Sequence, residues 1–376
     1  MTPLTRPLSK RSRVPAALVA TVFAMLLAAC GTTDDSASDA STNGDANTES
    51  TAEGTEQGSD GEGATGSVAA TDEGCTDEVT TSNEAVTLTD DFDRTVELDA
   101  PAERVVALEW QQIEDLLTLC IEPVAVADVE GYGTWVTSVD LPEGVEDVGT
   151  RGEPNIDVLV AADPDLIIVE VSGPDDPVVG TLEATGIPFL VTVGADTADP
   201  VQHMKDTFTL IAEAVGRTER AEAVIAEFDA SLADAKAELE DADIAGESFL
   251  YMDGWIQDNN VSLRPFGQGS LVGEIGEELG LANVWTGEVD EAYGLGQTDI
   301  EGLADLDAQW IFHTGYDGPD PEAEDVITAL TDNPIWNAHP AVAEGRVRSF
   351  PAGIWTFGGP RSSQQVIAAY LDALSG

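Results

Sequence analysis

Asn155-Ile-Asp-Val-Leu-Val-Ala-Ala-Asp-Pro-Asp-Leu-Ile-Ile-Val-Glu170 reads as a short helix, Ile156–Ala161, running directly into an apolar strand, Leu166–Glu170. An unbroken apolar run of that length suits a strand covered on both faces, as in a parallel sheet, better than one with a wet side. The same phrase recurs far along the chain as Asp299-Ile-Glu301-Gly-Leu-Ala-Asp-Leu-Asp-Ala-Gln-Trp-Ile311. Two copies of one helix-then-strand unit point to two α/β lobes.

Working outward, short apolar strands alternate with helices on both sides of the first copy. Val105–Leu108, Val124–Ala127 and Phe189–Val193 read as strands, and Gln111–Leu119 and Pro177–Thr185 as helices. Ahead of them, Val86–Leu98 has the pattern of a hairpin turning at Asp90-Asp91-Phe92-Asp93. Around the second copy lie the strands Phe249–Met252, Trp310–His313 and Val347–Phe350, with helices Leu271–Leu279 and Ser362–Leu374. Between the two groups, apolar residues recur at helical spacing from Met204 to Leu239. Forty helical residues would span about 60 Å, and Gly216 is the one place where such a helix would kink or break. The expected fold is therefore α/β, with an N-terminal lobe over 84–198, an inter-lobe helix over 199–242 and a C-terminal lobe over 243–376. One long, rigid helix would allow little domain closure. A ligand cleft is expected between the lobes, at the C-terminal ends of the strands.

The first thirty residues belong to no lobe. Arg6, Lys10, Arg11 and Arg13 precede an apolar run from Pro15 to Ala29, and Leu27-Ala28-Ala29-Cys30-Gly31 closes it. This is a secretory leader too short for a comfortable membrane span, and its end resembles a lipobox, in which Cys30 becomes lipidated. Residues 31–83 hold thirteen carboxylates, no Lys or Arg and almost nothing to bury, and are expected to form a disordered tether. Cys75 and Cys120 remain, and an exported chain permits a disulfide between them; Cys120 also fits as a small core residue within Leu116–Ile121.

Charge narrows the choice of partners. Residues 84–376 carry 59 acids against 11 bases, and the only lysines beyond the leader are Lys205 and Lys236. Such a surface repels itself in dilute buffer and is screened at about 1 M salt, which reads as adaptation to a salty habitat. Nucleic acid and anionic lipid are excluded as partners of the body, leaving the lipid anchor as its link to a membrane.

Several segments resemble the iron-siderophore and vitamin B12 class of ABC-importer substrate-binding lipoproteins. These are Arg104-Val-Val-Ala-Leu-Glu109-Trp110, Pro123-Val-Ala-Val-Ala-Asp128, Val148-Gly149-Thr150-Arg151-Gly-Glu-Pro154-Asn155-Ile-Asp157, the two repeated phrases, Asn333-Pro-Ile-Trp336 and Trp355-Thr-Phe-Gly-Gly-Pro360. Together they cover roughly 101–376, and ferric-citrate and hydroxamate-siderophore binders are the most similar members. In the second phrase Ala308-Gln309 stands where Pro-Asp is usual. The resemblance implies the class III periplasmic-binding-protein fold, two Rossmann-like lobes about a cleft. It implies a monomer on the outer face of the cytoplasmic membrane, a ferric siderophore as ligand, no covalent cofactor, and a permease with its ATPase as partners. It also places the Arg151 loop at the cleft and implies docking on the permease through one acid per lobe, which the aligned phrases put at Asp157 and Glu301.

Within that frame the scarce arginines matter, because a guanidinium pairs bidentately with the carboxylates of an anionic chelate. Arg151 lies in a Gly-rich loop, and Arg264 in a loop entering a helix, where backbone amides favour anions. Trp110, Tyr132, Trp255 and Trp355 fall in loops or at strand ends and could wall a large rigid ligand; Trp310 and Trp336 read as structural. His203, His313 and His339 are too scattered to capture bare metal. Haem or cobalamin is the alternative cargo, with Tyr132, Tyr251 or Tyr293 as a possible axial ligand for haem. An exported enzyme is the other class of reading, but Gly267-Gln268-Gly269-Ser270 lacks the first Gly of a nucleophile elbow.

Overall fold

The computed structural model describes Cys75, Ser82 and residues 84–257, 260–315 and 326–375. The leader and Cys30 lie outside the described residues. So does most of the expected tether, of which Cys75 and Ser82 are described, and both are tied to the body. Cys75 is joined to Cys120 by a disulfide, and the Ser82 amide donates to the Gly216 carbonyl at 2.9 Å. Two residues ahead of the expected boundary at 84 are thus held against the body.

A two-stranded hairpin opens the fold, β1 (Val86–Thr89) against β2 (Thr95–Leu98). Asp90 shapes its turn by accepting from the amides of Phe92 and Arg94 and from the Arg94 guanidinium. The N-terminal lobe follows: β3 (Val105–Ala107), α1 (Trp110–Thr118), β4 (Ala125–Val126), α2 (Val129–Trp135), β5 (Glu146–Asp147), α3 (Ile156–Ala161), β6 (Leu166–Glu170), α4 (Pro177–Glu183) and β7 (Phe189–Thr192). Its five strands are all parallel in the order β5-β4-β3-β6-β7. Alternate residues feed two separate cores: Val105, Ala107, Leu166 and Ile168 on one face, Val106, Leu108, Ile167 and Val169 on the other. Both faces being dry explains why these strands read as unbroken apolar runs.

The segment read as one long helix is two helices, α5 (Pro200–Ala214) and α6 (Thr218–Asp241). Gly216, at φ 69°, turns the chain between them, and a Cβ there would lie 2.9 Å from both Pro101 and the Ser82 carbonyl. Each helix spans the molecule. Val201 and Met204 of α5 pack in the C-terminal core and Phe208, Ile211 and Ala212 in the N-terminal one; α6 returns, from Ala221 and Val224 to Phe228, Ala235 and Leu239. The lobes are thus bridged twice.

The C-terminal lobe comprises β8 (Ser248–Gln257), β9 (Asn260–Pro265), α7 (Leu271–Glu278), β10 (Ala282–Asn283), α8 (Ile300–Ala304), β11 (Trp310–Gly315), α9 (Val326–Leu330), α10 (Pro334–Ala338), α11 (Pro340–Ala343), β12 (Val347–Ala352) and α12 (Pro360–Ser375). Its parallel strands run in the order β10-β8-β11-β12. Beyond Met252, β8 leaves β11 and continues paired only with the antiparallel β9. The sequence reading has no β9, so Arg264 lies on a strand and not in the expected loop.

A direct tie closes the lobe junction. Glu114 and Asp115 of α1 are fully buried. The Glu114 carboxylate accepts from the Ser362 amide at 2.8 Å and from the Ser362 hydroxyl at 2.5 Å, so an N-lobe acid caps the first turn of the C-lobe helix α12. Thr137 adds a second link, donating through its amide and its hydroxyl to the Gly353 carbonyl. Among the described residues no helix is long and apolar enough to cross a membrane.

Candidate functional site

In each lobe the strand order reverses about a central strand, β3 in one and β8 in the other. In open α/β sheets ligands settle beyond the C-terminal ends of the strands at such a point. Glu109 follows β3 and Glu170 ends β6, so the two strands beside the N-lobe crevice each deliver a carboxylate to it.

Arg151 reaches this wall from the loop between β5 and α3. That loop is pinned by the Asp128 amide on the Gly149 carbonyl and by the Gly149 amide on Asp147, with Gly149 at φ 98°. The Arg151 Nη1 donates to Glu109 Oε1 at 2.6 Å, and Nε lies 4.0 Å from Asp128 Oδ2. Its guanidinium carbon sits 3.7 Å from the centre of the Trp110 ring and 5.5 Å from that of Trp355, within cation–π range of both. Burial raises the Glu109 pKa, against the pull of Arg151. Glu170 is pushed up to about 7, by burial first and by the Glu109 charge second, while Tyr293 and Arg151 oppose the rise.

The opposite wall belongs to the C-terminal lobe. Tyr293 is held in a turn organised by Asp290, whose carboxylate accepts from the amides of Ala292, Tyr293 and Leu295. Its hydroxyl crosses to the other lobe and donates to Glu170 Oε1 at 2.6 Å. A Cβ on Gly194 would lie 2.2 Å from that hydroxyl, so the contact needs a glycine there. Arg264 and Asp253 face each other across β8 and β9 and form a two-pronged ion pair, one prong Nε to Oδ1 at 2.7 Å. Between the walls runs a chain of rings: Trp110 to Trp355 at 4.8 Å, Trp355 to Phe357 at 5.1 Å, and Phe357 to Tyr293 at 5.3 Å and to Phe266 at 5.9 Å. A narrow recess of about 20 Å³, room for about one water, opens beside Phe357 and Tyr293 and is also lined by Gln111, His203, Met204 and Leu271.

The structure thus brings Arg151, Trp110 and Trp355 together, with Arg264 within 6.0 Å of the Phe357 ring. Trp255, 41% exposed, lies two register pairs along from Asp253–Arg264, on the same face of the β8–β9 ribbon. Two expectations fail. Tyr132 is 1% exposed, packs in the N-lobe core and donates its hydroxyl to the Val139 carbonyl at 2.8 Å, so it walls no cleft. Trp110 is 4% exposed beneath Arg151 and backs the wall instead of facing a ligand. Of the tyrosines considered as axial ligands, Tyr251 is buried too and hydrogen bonded to Thr314. Trp336 is buried in the core and Trp310 is bonded to Glu247. Asp157 and Glu301 are both exposed, each the second residue of its helix, α3 or α8. Among the described residues no group of three or more His, Cys, Asp or Glu side chains could hold a metal ion.

Glu109, Glu170, Asp253 and Phe357 escaped the sequence reading as site residues, and Tyr293 entered it only as a possible axial ligand for haem. The usable signal was position: an acid at the C-terminal end of each strand flanking a switch point.

Residues 105–353 match the model of the periplasmic binding protein family. The chain belongs to that family. Among periplasmic binding proteins and their relatives, the iron(3+)-hydroxamate-binding protein FhuD of Escherichia coli is 29% identical over 276 residues, covering 73% of this chain and 87% of that one. The Fe(3+)-citrate-binding protein YfmC of Bacillus subtilis is 27% identical, covering 69% and 77%. The crystal structure of FhuD from Vibrio cholerae with bound Fe3+-Desferal superposes with a TM-score of 0.61 at 25% identity, over 72% of this chain and 97% of that one. The two-lobed α/β architecture is that of the class III periplasmic binding proteins.

Proposed function

We propose that this protein is the extracytoplasmic solute-binding subunit of an ABC importer, and that it captures a ferric siderophore and delivers it to a membrane permease. The observation that carries this reading is the cleft itself. It has one arginine on each lobe, a continuous aromatic wall between them and, among the described residues, no cluster of side chains able to hold bare iron. A large, rigid, preformed chelate matches such a surface: flat apolar contact with a few fixed polar groups. The relatives named for hydroxamate and citrate chelates support the same cargo class. A binding protein, not an enzyme, fits a cleft whose charged groups pair with one another.

The lobes, bridged by α5 and α6 and tied through Glu114 and Ser362, would clamp the chelate with little closure. Asp157 and Glu301 would then meet the permease, one acid from each lobe, and a separate ATPase would drive transport. Lipidation at Cys30 would hold the protein, as a monomer, on the outer face of the cytoplasmic membrane. Its acidic surface suits a salty exterior.

Tryptophan fluorescence of the mature chain in about 1 M salt tests the reading, titrated with a ferric hydroxamate, ferric citrate, haem and cobalamin. Saturable quenching by an iron chelate at submicromolar concentration is expected, with affinity reduced about tenfold or more in Arg151→Ala. That substitution strips the partner from Glu109 and exposes the Trp110 face. Binding of haem or cobalamin in place of both iron chelates would overturn the cargo.

A further inference from the structure

We propose that the cleft selects its chelate by charge, favouring a ferric siderophore that carries a protonated amine over a neutral one, and a neutral one over an anion, with Glu170 as the acid that recognises the amine. This rests on the siderophore reading above and adds the chemistry of the cargo.

Three independent features carry it. First, neither cleft arginine is free to receive a ligand carboxylate. Arg151 is bonded to Glu109 and flanked by Asp128, and Arg264 is gripped at two points by Asp253. Four carboxylates, Glu109, Asp128, Glu170 and Asp253, thus face two guanidinium groups. An anionic chelate entering here meets a wall that is negative overall, and to bond either arginine it must displace an acid already in place. That is the reverse of what the scarcity of arginine in the sequence suggests.

Second, Glu170 alone of these four acids has no cationic partner at bonding distance among the described residues. It accepts instead from a neutral phenol, Tyr293, reaching over from the other lobe. It is partly exposed. Tyr293 and Gly194 both line the small recess beside Phe357, and Gly194 lies against the Glu170 carboxylate, so a small cationic group at the mouth of that recess comes within reach of it. An ammonium arriving there would gain a charge-assisted hydrogen bond.

Third, the rings suit a cation. Trp110 and Trp355 already hold the Arg151 guanidinium within 3.7 and 5.5 Å of their centres, and Phe357 and Tyr293 continue the same aromatic wall toward Glu170. Indole and phenyl faces attract cations and repel anions through their quadrupoles. Acids and rings therefore favour the same sign of ligand.

The test uses one iron core at three charges. Ferric desferrioxamine B carries a free primary amine and is cationic; its N-acetyl derivative is neutral, and its N-succinyl derivative is anionic. Their affinities for the mature chain are measured in about 1 M NaCl at pH 8, where the long-range field of the acidic surface is screened and contact-range charge in the cleft persists. The cation is expected to bind about tenfold tighter than the neutral chelate, and the anion several-fold weaker than it. In Glu170→Gln the ratio of cation to neutral affinity should fall below about twofold. Equal affinities across the series, tighter binding of the anion, or an unchanged ratio in Glu170→Gln would each overturn the proposal while leaving the siderophore function standing. Failure of all three chelates to bind, with ferric citrate or haem binding instead, would overturn it together with the hydroxamate cargo.

Discussion

Glu170 keeps its proton up to about pH 7 because burial disfavours its charge and Glu109 places a second negative charge nearby. The groups facing it are Glu109 from the end of β3, Arg151 from the β5–α3 loop and Tyr293 from the C-terminal lobe. Below pH 7 the carboxyl is neutral and the wall is less negative; above it the carboxylate is present to meet an ammonium. The advantage of a cationic over a neutral chelate should therefore grow from pH 6 to pH 8, and a ratio that stays flat or falls would contradict the role given to Glu170. Arg151 was legible in the sequence because arginine is rare there and its loop is rich in glycine. Glu170 and Asp253 were not, since they are two acids among 59 and only the sheet order sets them apart. Tyr132 shows the opposite failure. A tyrosine beside glycines reads as a loop residue, but nothing in the sequence says which way its ring turns, and here it turns into the core.

Among the elements, α1 is the one whose burial is unusual. It carries Glu114 and Asp115 into the lobe junction, where Glu114 caps α12 and both Asp115 oxygens lack a hydrogen-bond partner among the described residues. Burial first, and then the Glu114 charge, hold the Asp115 pKa well above its usual value. The folded chain therefore keeps this proton more tightly than the unfolded one. The associated stability is complete below the unfolded value of about 3.9 and is lost progressively as pH rises toward the raised folded value. Asp115→Asn abolishes that loss, so the variant should gain about 1–3 kcal/mol over the natural protein at pH 8, and less at pH 5. Denaturant unfolding at the two pH values checks this; an equal gain at both would contradict it. The disulfide at Cys120, just past the end of α1, closes a loop with a sequence separation of 45, worth roughly 4 kcal/mol by chain entropy. The strands were readable because both their faces are dry, whereas the inter-lobe segment was misread because apolar spacing continues through 200–241. Helical periodicity does not distinguish one straight helix from two folded back to back; the turn is carried by Gly216 alone. The β8–β9 ribbon was hidden for another reason. Outside the sheet it lacks a continuous apolar face, and its pairing is marked by the Asp253–Arg264 ion pair.

At the scale of the whole molecule, two sheets with reversed strand order turn their C-terminal crevices toward one cleft, and α5 and α6 hold them at a set spacing. That arrangement suits a protein that must present the same two outer faces to a membrane partner whenever it is loaded. The acidic shell, 59 acids against 11 bases over residues 84–376, extends the negative sign of the cleft walls outward. High salt screens the shell, since the Debye length falls to about 3 Å at 1 M, but acts far less on partly buried pairs such as Glu109–Arg151. Salt therefore separates contact-range charge in the cleft from the long-range repulsion of the shell. If the proposed function holds, one ferric chelate lies between the lobes against the Trp355–Phe357 wall. Anomalous diffraction at the iron edge, from crystals grown with a ferric hydroxamate, would locate it. A single iron peak is expected between the Glu109–Arg151 pair and the Asp253–Arg264 pair; a peak on the outer surface, or none in crystals of protein shown to bind the chelate, would overturn this placement.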